Sequence, residues 1–173
     1  PCVAVLPFTN LNQDEPNGVI QGIQDDGGLS VVQPLSTTKF AAARFNFGDN
    51  YLLPNVTLNP TGISSSVDLG GNTLPELEPN ARVKILRTSI NNKNVLVYGS
   101  NTRSKQIGLY FYDEATGTFI TSKYLGFSNP FEIAQVISTE DGGLAVCGTT
   151  YVAGRFPRIC LIKLHPEDLE KVR

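Results

Sequence analysis

STEDGGLAVCGTT, residues 138–150, decides how this chain is read, because its Asp-Gly-Gly-Leu also stands at residues 26–29 within QDDGGLSVV, residues 24–32. The glycine pair supplies the positive φ that a tight hairpin turn demands, and an acidic residue before it suits the first half of such a turn. The apolar residues that follow alternate with period two, the mark of a strand. The motif therefore predicts a hairpin corner, and its recurrence predicts a repeated antiparallel unit.

Around that corner, FEIAQVI, GLAVCGTT and RICLIKL read as three strands separated by TEDG and YVAGRFP. Upstream, RVKILRT, NVLVYGSN, QIGLYFY and TFITSKYL read as four, with INNK as first corner and DEATG as third. Asn91 and Asn92 stand there in place of Asp-Gly, and Asn tolerates the same left-handed geometry. The first unit reads GVIQGIQ, GLSVVQ, FAAARFN and YLLPNVTL, followed by a long polar loop over residues 59–80 rich in Gly and Pro. The expectation is one all-β domain over residues 1–173, with units at about 17–80, 81–128 and 129–173. The third unit lacks a fourth strand, and the orphan strand at residues 3–8, VAVLPF, is expected to close it beside residues 159–164, hiding an open edge.

Composition agrees with a globular β protein. Apolar residues make up 40% and charged residues 17% of the 173, with 16 Gly and 11 Pro against one His and no Trp, a balance that favours many turns over long helices. A formal net charge of -2 creates no field that would draw in nucleic acid or an anionic membrane. No apolar run reaches the length of a membrane span. The sequence contains no Met, so the chain is expected to follow a removed or excluded upstream segment, an export signal being one candidate. Three Cys at spacings that fit no zinc pattern predict neither a metal nor a cofactor.

Repeats of four antiparallel strands at this period are those of β-propeller blades, spaced by roughly 40 to 50 residues, and a β-sandwich of the same hairpins is the alternative. The run NPFEIAQVISTEDGGLAVCGTTYVAGRFPRICLIKL resembles the propeller-like repeats of exported proteins and lipoproteins of Bacteroidetes. NVLVYGSNTRSKQIGLYFYDEATGTFITSKYLG looks like the preceding copy. That resemblance implies an extracytoplasmic location, with any lipid anchor upstream of this chain, and carries over no catalytic residue. Typical rings hold about four to eight blades, so further blades or association of copies is expected. VAVLPFTNLNQDEP is similar to the opening of the TolB-like N-terminal α/β domain, but QGIQDDGGLSVV puts two Gly where that domain needs a helix, at about 1 kcal/mol each relative to Ala.

No residue cluster reaches a catalytic motif. STTK, residues 36–39, has the Ser-x-x-Lys spacing of penicillin-recognising enzymes without their other motifs, and reads as a polar turn. His165, before Pro166, has no nucleophile to serve. Asn10, Asn12 and Asp14 carry only part of a calcium-loop pattern. Cys147 and Cys160 fall on neighbouring strands, and free, packed thiols are favoured over a bridge. Laid side by side, the units place Lys39, then Arg103 and Lys105, then Arg155 and Arg158 after successive second strands, so these five are the candidate ligand-binding residues. The expected function is a binding or scaffold module for a glycan, peptide or protein. The alternative is a glycan-active enzyme, which requires two carboxylates facing each other across a substrate.

Overall fold

The computed structural model describes residues 3–5, 8, 12–16, 18–22, 27–58, 63–65, 69–127, 129–152 and 156–172. Among them the fold is all-β, with antiparallel sheets of four, four and three strands and no α-helix; a 3-10 turn, Pro166–Leu169, follows the last strand. The residues group into two compact units, one of Pro1–Pro75 with Pro79–Ala81, the other of Glu76–Glu78 with Arg82–Arg173.

In the first unit, β3 (Gly27–Pro34), β4 (Lys39–Asn46), β5 (Asp49–Thr57) and the two-residue β7 (Asn72–Thr73) form a sheet in sequential order. Its central strand is buried through Phe40, Ala41, Ala42 and Ala43. The β4–β5 corner turns on Phe47 and Gly48, both at positive φ. Arg44 is buried yet satisfied: its Nε donates to the Gly70 carbonyl at 2.9 Å and its guanidinium lies 3.8 Å from the Tyr51 ring centroid. Burial holds that guanidinium below its usual pKa.

Two expectations for this unit need correction. Val3–Val5, the described part of the orphan strand, does not close the third sheet: it forms β1 and pairs antiparallel with β2 (Val19–Gly22), and β14 (Phe156–Leu164) has β13 (Leu144–Val152) as its hydrogen-bonded neighbour. Alternation marks a stretch as a strand without choosing its partner, and a nearby partner closes the shorter loop. Nor do the strands on either side of the first Asp-Gly-Gly-Leu pair with each other as a hairpin. The strand before it, β2, pairs with β1 and, in parallel, with β6 (Ile63–Ser65), not with β3; Asp25 and Asp26 lie outside the described residues. The stretch 59–80, expected to be a loop, thus contributes β6 and β7.

The second unit follows the strand reading closely. β8 (Lys84–Ile90), β9 (Lys93–Asn101), β10 (Ile107–Asp113) and β11 (Phe119–Leu125) form one meander, and β12 (Phe131–Ser138), β13 and β14 form another. Asn91 and Asn92 turn the first corner at φ 51° and 62°, the two consecutive left-handed residues of a type I′ hairpin. At the Asp-Gly-Gly corner Gly142 takes φ 81°, and Asp141 Oδ1 accepts from Thr139 Oγ1, the Gly143 N–H and Lys163 Nζ. Lys163 and Thr139 hold this carboxyl well below the usual carboxylate range. The acidic residue of the motif thus ties its corner to the third strand.

The two sheets of this unit share one core: Val95, Val97, Ile107, Leu109 and Phe111 from the first, and Val136, Leu144, Val146 and Leu164 from the second, closed by Leu169 and Val172 of the last turn. The β9 segment Val97-Tyr98-Gly99-Ser100 matches the β13 segment Val146-Cys147-Gly148-Thr149, and Val97 and Val146 both point into that core. Among the described residues the sheets do not close into a ring, and two sheets about one core are common to propeller blades and to sandwiches. Sequence patterning cannot separate the two, because apolar strands buried on both faces read alike in either. Cys147 stands opposite Leu161 and Cys160 opposite Gly148, so the two thiols point to opposite faces and are unbridged.

Candidate functional site

Arg103 and Lys105 lie in the β9–β10 connection, and the structure brings them together around a short strap, Glu76–Glu78. The strap lies against the end of β9: Leu77 bridges Thr102, the Arg103 N–H donates to the Glu76 carbonyl at 2.8 Å, and the Glu78 N–H donates to the Asn101 carbonyl at 3.1 Å. Arg103 Nε reaches the Leu77 carbonyl at 3.1 Å. Lys105, at φ 64°, forms an ion pair with Glu78 at 2.6 Å, and the Glu78 carboxylate raises the lysine's pKa. The two basic residues therefore brace the strap as well as displaying charge, and spacing along the chain gave no sign of that partner.

A second contact, missed by sequence reasoning, fixes the strap from below. Glu76 Oε1 accepts from Tyr110 Oη at 2.9 Å and from Tyr124 Oη at 2.6 Å. The two rings meet edge to face with centroids 6.3 Å apart. Tyr110 is buried and Tyr124 is about half exposed. Burial, reinforced by the neighbouring carboxylate, pushes both phenols above their usual pKa. The register of β10 and β11, with Tyr124 opposite Gly108, puts Tyr110 and Tyr124 on one face, and their common acceptor lies 34 and 48 residues upstream.

The β11–β12 loop flanks this end of the sheet. Gln106 Nε2 donates to the Gly126 carbonyl and the Phe131 N–H to the Lys105 carbonyl, both at 2.9 Å. Phe127, next to Gly126, is almost wholly exposed. One end of the meander thus carries Arg103, Lys105, Tyr124 and Phe127 on a hydrogen-bonded base.

The other three candidate residues are placed differently. Arg158 is exposed but sits within β14, opposite Thr150, not in a loop. Lys39 opens β4 in the first unit, where its N–H donates to Ser36 Oγ at 3.1 Å, so STTK is the β3–β4 turn. Arg155 lies outside the described residues. His165 likewise serves a turn, its N–H donating to Asp168 Oδ2 at 3.0 Å.

A cleft of about 410 Å³ runs between β11 and the last turn, lined by Phe111, residues 121–123 and residues 167–172. All of its carboxylates, Glu167, Asp168 and Glu170, come from the one turn, while Lys123 stands on the other wall and pairs with Asp168 at 3.5 Å. The His165 N–H and then Lys123 hold the Asp168 carboxyl below its usual range. Acid–base hydrolysis of a glycoside needs carboxylates on both sides of the scissile bond, and this cleft supplies them on one. No protein-family model and no curated protein sequence matches the chain.

Proposed function

We propose that the protein is an extracytoplasmic binding or scaffold module, and that the braced end of β8–β11 contacts an anionic glycan. The observation that carries this reading is the fixed ledge of Arg103 and Lys105 at the end of the meander that also carries the partly exposed Tyr124 and the exposed Phe127. Aromatic faces take the apolar face of a sugar ring, and cations take its carboxylate or sulfate through charge-assisted bonds. Exposed charges contribute little singly, so the two must act together with the rings. Location rests on the resemblance of residues 82–164 to exported repeats of Bacteroidetes. A peptide or protein carrying acidic side chains would use the same cations. The glycan-active alternative finds no opposed carboxylates in the cleft, which favours binding over catalysis.

The test is titration of the chain against sulfated and uronic-acid oligosaccharides at low salt. The parent should bind, and Arg103→Ala with Phe127→Ala should weaken binding about tenfold or more, salt acting in the same direction. Equal binding by parent and variant, or no binding by the parent, would remove the proposal.

A further inference from the structure

The meander β12–β14 stops one strand short of its companion. β10 is covered over Ile107–Leu125 and its neighbours by β11, but β14, nine residues long, has no second strand beside it among the described residues. Proteins blunt such edges by making them short, by bulging or charging them, or by setting proline in them; β14 carries Pro157 near one end, while residues 158–162 in its middle keep every N–H. β14 pairs with β13 in unbroken register from Val152–Phe156 to Leu144–Leu164 and carries Phe156 at 71%, Ile159 at 88% and Leu161 at 73% exposure. Core-facing Ile162 and Leu164 alternate with Ile159 and Leu161, which lie on the face away from β8–β11.

We propose that β14 pairs antiparallel with β14 of a second copy, about a two-fold axis at Cys160, joining two three-stranded sheets into one of six. A two-fold axis normal to the sheet keeps each face continuous, so only registers that join residues of the same parity are allowed. Of these, the register centred on Cys160 sets Phe156 opposite the partner's Leu164 through to Leu164 opposite the partner's Phe156; Pro157 has no N–H to give, so the ladder is carried by residues 158–162. Ile159 then faces the partner's Leu161 twice over, an aliphatic cross-strand pair on each side of the axis. Charge agrees with this register: Arg158 faces the partner's Ile162 and Lys163 the partner's Pro157, so no like charges stand opposite.

The contact is small. Taking whole side-chain areas of roughly 200 Å², Phe156, Ile159 and Leu161 expose on the order of 900 Å² across two copies, of which edge pairing covers only part, so the contact is smaller than the ~1,000 Å² of specific interfaces. A dimer that forms and dissociates in the micromolar range is expected.

Sedimentation of the full chain across a concentration series tests this, with a pair of double variants that read the register. I159K/L161K sets Lys opposite Lys at both sites and should weaken dimerisation about tenfold or more, whereas I159K/L161E sets Lys opposite Glu at both and should keep it near the parent. At concentrations where the parent is monomeric, the melting temperature of both variants should match the parent, because both side chains are exposed. In a Cys2→Ser, Cys147→Ser background, a copper–phenanthroline oxidant should link Cys160 to Cys160, whose α-carbons stand within disulfide reach in this register. A parent that stays monomeric at every concentration would mean that the edge serves another strand donor, and the proposal falls. It falls equally if the two double variants associate alike, or if Cys160 gives no linked dimer.

Discussion

Replacing Glu76 should separate a structural clasp from an incidental contact. Tyr110 is 1% exposed and donates its hydroxyl to Glu76; without that charged acceptor only the neighbouring Tyr124 hydroxyl is left to it, a loss of about 1–3 kcal/mol. Tyr124 is 44% exposed, so water replaces its lost partner and the added cost is about zero. Glu76→Ala should therefore cost about 2 kcal/mol, and Glu76→Gln about 1, since the amide oxygen still accepts but as a neutral group. For a chain of this length the alanine variant should melt about 4–8 °C lower. Tyr110→Phe removes the hydroxyl itself, so combined with Glu76→Ala it should cost less than the two single changes together, by about 1 kcal/mol. Alkaline pH gives a further arm. The folded-state pKa of Tyr110 lies above its usual value, so its contribution is complete below about pH 10, where unfolded tyrosine titrates, and fades as pH rises beyond. Thermal melts of the four variants from neutral pH to pH 11 are the assay. An alanine variant within about 0.5 kcal/mol of the parent, the range of ordinary surface changes, would refute the clasp, as would a cycle with no coupling.

Two further outcomes follow from single corners. Phe47 holds φ 50°, a conformation that costs a bulky residue about 1 kcal/mol and Asn much less, so Phe47→Asn should stabilise the chain by about 0.5–1 kcal/mol in urea titration; no gain would show that the exposed ring contributes more than its backbone strain removes. Asp141 titrates well below its usual range because Lys163 and Thr139 hold its anion, so its stabilisation is present above about pH 4 and lost as pH falls further. Asp141→Asn should lower stability at neutral pH and flatten the acid limb of the stability profile. An unchanged limb would mean that the corner does not depend on that charge.

The second unit was legible in the sequence because its signals are local. Asn91, Asn92, Gly117 and Gly142 all sit at positive φ, and a residue that tolerates the left-handed region announces a corner wherever it stands between alternating runs. Those three corners bound six of the seven strands, β8 to β13. The first unit was less legible for the same reason: its Asp-Gly-Gly has the chemistry of a corner, but β2 turns instead to β1 and β6.

What the sequence alone determined is therefore the class of the protein, the strands of its second half and the turn residues between them. Each follows from side-chain alternation and backbone preference over a few residues. The tertiary structure decided the partners: β1 with β2, the equivalent faces of β9 and β13 about one core, Glu76 beneath two tyrosines, and Arg103 and Lys105 clasped to Glu76–Glu78. Partner choice is set by loop closure, by core volume and by hydrogen bonds between groups tens of residues apart. Alternation is the same whichever strand, face or carboxylate lies across the way, so none of these choices is written into any one segment.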